Sequence, residues 1–401
     1  MNKKNIWLVN RDLPPVFTGA GRNDVLMAKQ LPELGFSPTL VGQRKGGSRK
    51  RGKFDNIDVL RIGNFDSSFG KVLWGVQLFF NVLFSKDSPE LIRFRGYNLG
   101  YALAIFLFKT FLPKVRVVIQ PACFNVDDPS TVIKKKLGDW QLSQYFKSDA
   151  LFAMNGLFRQ SFIDHGYASK QIFSVRNPVI INEEPSNEVV KKIRSELTES
   201  NTYELVIVTI GILDQRKKQD LISTAFCNVY NAGFSKRAVL VHIGPNSDDL
   251  HLHGRSDKIK NAQFMEEKIS IIGSNCNDLG KIKLLGHRPD VAQLLAAADI
   301  FIHASVSEGE ANVVNEAMAA GVAVIVPNHP VYELQVSNKV SSLFVPDNDN
   351  SLTAAMLDLM NNEMKREQFG MNAKQHVINT RYPRKAAKYY AEILNKIVGN
   401  S

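Results

Sequence analysis

Short apolar runs rich in Val, Ile, Leu and Phe alternate with stretches of helical spacing along most of the chain. In the first half the runs at 6–9, 38–41, 59–62, 91–94, 115–119 and 150–153 predict strands, and residues 22–34 carry a helical period. The second half repeats the scheme. Strands are predicted at 205–210, 238–243, 283–285, 300–303 and 323–326, with helices at 219–231, 291–298, 313–320 and 352–361. Strands that alternate with helices form parallel sheets covered on both faces. The polar, Pro-containing stretch 182–188 reads as a linker. The expected architecture is therefore α/β: two doubly wound parallel-sheet, Rossmann-like domains facing a cleft, with ligands at the carboxyl ends of the strands. The expected boundaries are 1–183 for the first domain, with a closing helix at 382–401 packing back on it, and 195–381 for the second.

With 401 residues, 44% hydrophobic and 22% charged, the chain suits two or three globular domains. No run of 18 uninterrupted apolar residues occurs, so no membrane-spanning helix is expected. The opening MNKKNIWLVNRD lacks the length and the small-residue site of a secretory signal and reads as a first buried strand. Cys123, Cys227 and Cys276 are far apart and odd in number, which argues against a disulfide framework and for a reduced, cytosolic setting. The net charge of +11 is uneven: residues 1–185 hold 26 Lys/Arg against 15 Asp/Glu, and residues 186–401 hold 24 of each. A basic first half marks a place for an anionic partner. Nucleic acid is not the expected one, because no binding motif or aromatic interleaving accompanies the charge.

Three loops can carry chemistry. Thr18-Gly19-Ala20-Gly21-Arg22 lies between the first strand and first helix, where backbone amides can approach an anion; a plain β–α turn is the alternative. Gly211-Ile-Leu-Asp-Gln-Arg-Lys-Lys-Gln-Asp220 brings Arg216, Lys217 and Lys218 to the end of a strand, a place for a diphosphate or else a solvated basic loop. SEGEANVVNEAMAAG, residues 307–321, sets Glu308 and Glu316 eight positions apart. Between them the amides of Glu310, Ala311, Asn312 and Val313 open a helix, which attracts anions.

On those residues the second half resembles the donor-binding domain of retaining glycosyltransferases of family 4, which have the GT-B fold. The carriers are E308-G-E-A-N-V-V-N-E316-A-M-A-A-G-V-A-V, RKKQDLI, HIGPN at 242–246, KLLGHRPDVAQLLAAADIFIHAS, and VRNPV at 175–179. The resemblance implies that Glu316 anchors the ribose of a UDP- or GDP-sugar, that Glu308 attends the reacting sugar, and that Lys217 balances the departing diphosphate, as pre-placed cations should. It adds Gly211 and Gly19–Gly21 to the donor site, sets His287 and Arg288 near the base, and requires no metal or other cofactor. The family's "G-R-L" departs here to Ile212, with Arg216 as a substitute cation. Asn125, Asp127, Asp128 and Arg95 are candidate acceptor contacts, and loop capping is the alternative for Asp127 and Asp128.

Several weaker signals remain. Asp347-Asn-Asp349 reads as a polar turn rather than a metal motif, and His251 with His253 lacks a third ligand. The basic stretch 44–53 and the apolar stretch 74–84 suit docking on an anionic membrane surface, or else a mobile loop and a buried helix. Two functions follow as expectations. One is a retaining transferase building a cell-surface glycan on a glycan or lipid-linked acceptor, cytoplasmic or peripheral at the inner face of the membrane. The other is a non-catalytic GT-B binding protein.

Overall fold

The computed structural model describes residues 3–13, 19–44, 49–63, 67–181, 183–200, 202–252, 256–337 and 340–399. The chain divides into two compact units. Unit 1 holds Met1–Val179, Ser307–Glu310 and Thr380–Ser401; unit 2 holds Ile180–Val306 and Ala311–Asn379.

Unit 1 is built on eight strands: β1 (Lys4–Val9), β2 (Phe36–Gln43), β3 (Arg51–Phe54), β4 (Ile57–Ile62), β5 (Leu91–Arg95), β6 (Arg116–Gln120), β7 (Ala150–Ala153) and β8 (Ile172–Ser174). Their order is β3-β4-β2-β1-β5-β6-β7-β8, and among the described residues β3 alone runs antiparallel to its neighbour. Its helices are α1 (Gly19–Gln30), α2 (Ser68–Leu83), α3 (Leu99–Phe111), α4 (Pro129–Val132), α5 (Gly138–Phe146) and α6 (Gly156–Asp164). Alternate residues of the central strands feed two cores. Trp7, Val9, Ile92 and Phe94 meet Trp74, Tyr101, Phe108 and Tyr145 from α2, α3 and α5. Ile6, Leu8 and Leu91 face the other way, towards α1.

Unit 2 adds α7 (Asn187–Leu197), β9 (Leu205–Ile210), α8 (Gln219–Asn231), β10 (Ala238–Ile243), α9 (Ser247–Leu252), α10 (Ser256–Ser274), β11 (Gly280–Leu284), α11 (Val291–Ala296), β12 (Ile300–Ile302), α12 (Asn312–Ala319), β13 (Ala323–Pro327), β14 (Ser341–Phe344), α13 (Asp349–Asn361) and α14 (Glu363–Arg381). The six strands are all parallel in the order β11-β10-β9-β12-β13-β14. The four central strands β10, β9, β12 and β13 read as largely continuous apolar runs because both faces are buried. The strand order reverses between β9 and β12, and in such sheets the crevice at that point takes the ligand. Helix α15 (Pro383–Gly399) returns to unit 1 and lays Ala387, Tyr390, Ala391, Ile393, Leu394 and Ile397 on its second core.

Four sequence readings change. The helical period at 22–34 ends at Gln30, because Pro32 in the next turn converts the chain to a 3-10 helix closed by Gly35. Part of the basic stretch 44–53 is an exposed edge strand, β3, while 45–48 lie outside the described residues, as do Thr18 and His253. The apolar stretch 74–84 is neither wholly buried nor wholly free: Trp74, Leu78 and Val82 are core, and Phe80, Leu83 and Phe84 are exposed. Cys227 and Cys276 form a disulfide, against the expectation from their number and spacing. The packing of α8 against α10 brings together residues 49 apart in sequence, and Cys123 stays single. Among the described residues no helix is long and apolar enough to cross a membrane.

Candidate functional site

In unit 2 the loops leaving β9, β10 and β11 are stitched together through backbone atoms. The Gly211 amide donates to Ile243 O (2.8 Å) and the Gly244 amide to Gly286 O (2.9 Å). A Cβ on Gly244 would stand 2.1 Å from Gly211 O, and its φ of +145° suits glycine. The loops therefore meet with bare backbone at the carboxyl edge of the sheet.

Lys217 is placed by this arrangement. Its aliphatic stem lies over Gly211, whose added Cβ would meet the Lys217 Cγ, Cδ and Cε atoms at 3.6–3.8 Å. Asp214 starts the 3-10 turn Gln215–Lys217 by accepting the Arg216 amide (3.0 Å). Burial alone would raise the Asp214 pKa; the Arg216 amide and Lys258 (3.1 Å) outweigh it and hold the carboxylate below its ordinary value. Gln219 bonds the carbonyl of Ile212 (2.9 Å), and the Ile212 side chain packs on the Leu213, Leu250 and Met265 cluster. Where the resembled family carries an arginine, this chain has a half-buried hydrophobe. Lys218, in left-handed backbone, bonds Asp347.

Asp249 organises the next two loops. It accepts the amides of Asn246 (3.2 Å) and His287 (2.7 Å), and Asn246 returns a bond to the Asp249 amide (2.8 Å). The His287 amide is thereby engaged within the protein. Arg288 is held between Asp290 (2.6 Å) and Glu196 (2.7 Å), and these bonds raise its pKa. Its guanidinium braces the β11 loop against α7, so a base could meet this loop only through the groups that remain.

Helix α12 opens without a side-chain cap. Gln335, buried, accepts the Ala311 amide (3.3 Å) and donates to Ala311 O (2.6 Å) and to the Asn315 side chain (2.9 Å). The Ala311 amide, expected to face a donor, is bonded to Gln335 instead. Asn312 and Val313 form the first turn, and Glu316 lies half-buried in the second. Beside this region Pro327, His329, Tyr332, Glu333 and Leu343 line a cavity of about 270 Å³. Burial and then Lys218 lower the His329 pKa, favouring the neutral ring.

Glu308 and Glu310 belong to unit 1. The segment Ser307–Glu310 is fixed there from both ends: Asn155 Nδ2 donates to the carbonyls of Glu308 (3.2 Å) and Gly309 (2.7 Å), while its Oδ1 caps α6. A Cβ on Gly309 would stand 2.2 Å from Ala122 O, so the segment passes where only glycine fits. The Glu310 carboxylate accepts Arg381 Nε (2.9 Å) and the Asn177 amide (2.7 Å), all nearly solvent-free. Glu310 is thus a core ion pair. Glu308 stays half-exposed.

The acceptor candidates turn out to have structural duties. Arg95 is buried, bonding Asp24 (3.0 Å) and Asn177 (3.4 Å); an exposed acceptor contact does not fit it. Asp127 is buried under the amides of Ala122 (2.9 Å), Tyr97 (3.2 Å) and Cys123 (3.3 Å), and burial raises its pKa despite them. Asp128 caps α4 through the Thr131 amide (3.1 Å). Loop capping, the alternative for both, describes what they do. Asn125 takes left-handed backbone in the same turn. Gly19, Ala20 and Gly21 form the first turn of α1. Among the described residues no three His, Cys, Asp or Glu side chains gather as metal ligands would.

Sequence reading missed Asp214, Asp249 and Gln335. Asp214 stands two residues before Arg216 in a cation-rich turn, a recognisable cap. Gln335 had no local signal, since its partners lie 20 and 24 positions away.

Residues 190–376 match the family model of glycosyl transferases group 1. No curated protein matches the chain. Among solved structures, HepE of Anabaena in complex with UDP shares 17% identity with a TM-score of 0.75, over 98% of this chain and 100% of that one. The E. coli trehalose-6-phosphate structure bound with UDP-2-fluoro glucose gives 13% and 0.75 over 99% of both chains. Sucrose-phosphate synthase from Thermosynechococcus elongatus gives 12% and 0.73 over the whole of both. The chain has the two-domain GT-B glycosyltransferase fold, and its residues 190–376 match the glycosyl transferases group 1 family.

Proposed function

We propose that the protein is a retaining, family 4-type glycosyltransferase that moves a sugar from a UDP- or GDP-sugar to a glycan or lipid-linked acceptor in the assembly of cell-surface polysaccharide. The observation that carries this reading is the strand switch of unit 2. There the β9 loop lays Lys217 over the backbone of Gly211, and the chain leaving β12 leads into α12 with Glu316. A nucleoside diphosphate needs such a place: amides and a cation for its phosphates, and a carboxylate for a ribose hydroxyl. The resemblance to HepE, solved with UDP and glucose, supports the choice of donor class.

In the proposed reaction the bond from the anomeric carbon to the phosphate oxygen breaks, and its electron pair leaves with the diphosphate. The acceptor oxygen bonds the same carbon on the same face, and its proton passes to the departing phosphate. Lys217, with Arg216, stabilises the charge that builds there, with no metal called for. Glu316 anchors the ribose and Glu308 attends the sugar. The first-turn amides of Asn312 and Val313 face the donor, and those of Gly19, Ala20 and Gly21 are a further place for phosphate. The enzyme is proposed to work in the cytoplasm, at the inner face of the membrane.

Calorimetry with UDP, UDP-glucose and GDP-sugars tests the donor. One of these should bind, and Lys217→Ala and Glu316→Ala should each weaken binding at least tenfold. The anomeric configuration of the product, read by NMR, tests retention; an inverted product overturns it. Ile212, a half-buried hydrophobe where a cation is expected, favours a second reading as a non-catalytic binding protein. Donor binding without transfer or hydrolysis of a radiolabelled sugar would select that reading.

A further inference from the structure

The outer helical layer of unit 1 carries an apolar surface that its own core does not use. On α2 the inner positions Trp74, Leu78 and Val82 are buried, while Phe69, Leu73, Phe80 and Leu83, with Phe84 at the C-cap, are exposed. Phe69 is 76% exposed and Phe84 77%. Phe84 stacks on Phe80 (5.9 Å between centroids), and Phe79 bridges to Phe80 (5.5 Å) and to Phe111 of α3 (5.9 Å), itself 61% exposed. Single exposed hydrophobes need no explanation, but a stripe of aromatic rings continued onto a second helix does.

The layer beneath the stripe is tight. A Cβ on Gly75 would stand 2.4 Å from Gly100 O, and one on Gly100 2.2 Å from Lys71 O, so α2 and α3 touch backbone to backbone. The rings thus stand on a fixed platform. Helices α2 and α3 contain no acidic residue, and the lysines around them outnumber the exposed carboxylates Asp87 and Asp139 that follow Phe84 and Leu137. Lys71 lies on α2 and Lys114 just past Phe111. Lys134 and Lys136 flank exposed Ile133 and Leu137 before α5, and exposed Lys147 stands over the Phe106 ring of α3 (5.7 Å).

We infer that this face docks on an anionic lipid bilayer, with Phe69, Leu73, Phe80, Leu83, Phe84 and Phe111 entering the headgroup–acyl boundary and the lysines meeting the headgroups. A basic rim around an apolar, aromatic helix face is the chemistry of interfacial binding. A second copy fits it less well, because two-fold pairing would set the same lysines against each other. The inference rests on the lipid-linked acceptor reading for its biological sense, but its test does not depend on donor chemistry.

Flotation of the full chain with phosphatidylcholine vesicles, with and without about one third phosphatidylglycerol, reads the surface directly. Binding should require the anionic lipid and weaken as salt rises. Phe80→Ser/Phe84→Ser should lower it at least tenfold. Lys134→Glu/Lys136→Glu should lower it several-fold and flatten the salt dependence. Both pairs are exposed, so circular dichroism and melting should match the parent, and UDP-sugar binding by calorimetry should be unchanged. Lys217→Ala should lose donor binding yet still float with vesicles, which separates failure of this inference from failure of the donor reading. Absence of flotation at low salt overturns the inference. So does flotation that survives Phe80→Ser/Phe84→Ser, or a dimer seen by light scattering that the same pair dissolves without any vesicle binding.

Discussion

Each unit reverses its strand order once, and the two reversals are finished in opposite ways. In unit 1, around β1 and β5, the charge is turned inward. Asp24 of α1 accepts Arg93 (2.6 Å), Arg95 (2.9 Å) and Asn10 (2.8 Å), all buried. In unit 2, around β9 and β12, the loops present glycine backbone, Arg216 and Lys217, and the carboxylate in the turn, Asp214, is matched by Lys258. The same topology thus yields one end whose two buried arginines share a single carboxylate, and another that on the proposed reading takes an outside anion. The basic excess of residues 1–185 overstates the positive charge offered to a partner, because Arg93 and Arg95 are committed to Asp24.

The largest expected effect tests the end in unit 1. Asp24→Ala leaves two buried guanidinium groups without their carboxylate, which should cost about 3–5 kcal/mol. All three tryptophans, Trp7, Trp74 and Trp140, lie in unit 1, so urea unfolding followed by tryptophan fluorescence reads that unit alone. An unchanged midpoint would sink the description of Asp24 as the charge that closes this end. Next comes the end in unit 2. Lys217→Ala should lower kcat/KM for transfer roughly 10²–10³-fold, the scale of losing one donor aimed at developing charge. A loss of stability instead of activity would make Lys217 a structural residue and erase the contrast.

A pH series separates the units. Burial lowers the His242 pKa to about 3, and its ring meets Ser223 (2.9 Å) inside unit 2. The folded value lies below the ordinary 6.5, so the stability this histidine contributes is complete above pH 6.5 and declines as pH falls from there towards 3. Each pH unit should remove about 1.4 kcal/mol. Asp24, also lowered, begins to matter only below the ordinary 3.8. Between pH 6.5 and 4.5 unit 2 should therefore loosen first, with amide exchange rising there while tryptophan fluorescence holds; simultaneous loss would contradict the assignment. The smallest effect is expected at Arg288, whose two carboxylate bonds lie near the surface. Arg288→Ala should change stability by no more than about 1 kcal/mol and leave UDP affinity within a factor of a few. A tenfold loss of UDP affinity would restore Arg288 as a donor contact.

Legibility followed the range of the signal. β9, α8, β10 and α12 lie where the pattern sets them, because buried parallel strands are apolar along their whole length and helix periods are local. β3 was unreadable as a strand: Arg51-Gly52-Lys53-Phe54 is an exposed edge that needs no apolar face. Helix α10 was passed over because polar and apolar residues mix around it, and β14 because it is a four-residue edge strand in a Ser-rich stretch. In the candidate site, Lys217, Glu308 and Glu316 could be singled out from the local motif. The positions of Glu310 and Arg95 could not, since their partners Arg381 and Asp24 stand 71 residues away in each case. Cys227 and Cys276 failed the same way: distance along the chain carries no information once α8 and α10 pack side by side.

Helix α15 also sets an order of events during synthesis. The second core of unit 1 is incomplete until Pro383–Gly399 has been made, about 200 residues after Val179. At roughly 5–20 residues per second that interval is about 10–40 s. Unit 2, later in sequence, has all its strands out of the ribosome first. During that wait the faces of Ile6, Leu8 and Leu91 lack their last cover, and a nascent chain arrested before residue 383 should recruit chaperones through unit 1 rather than through unit 2.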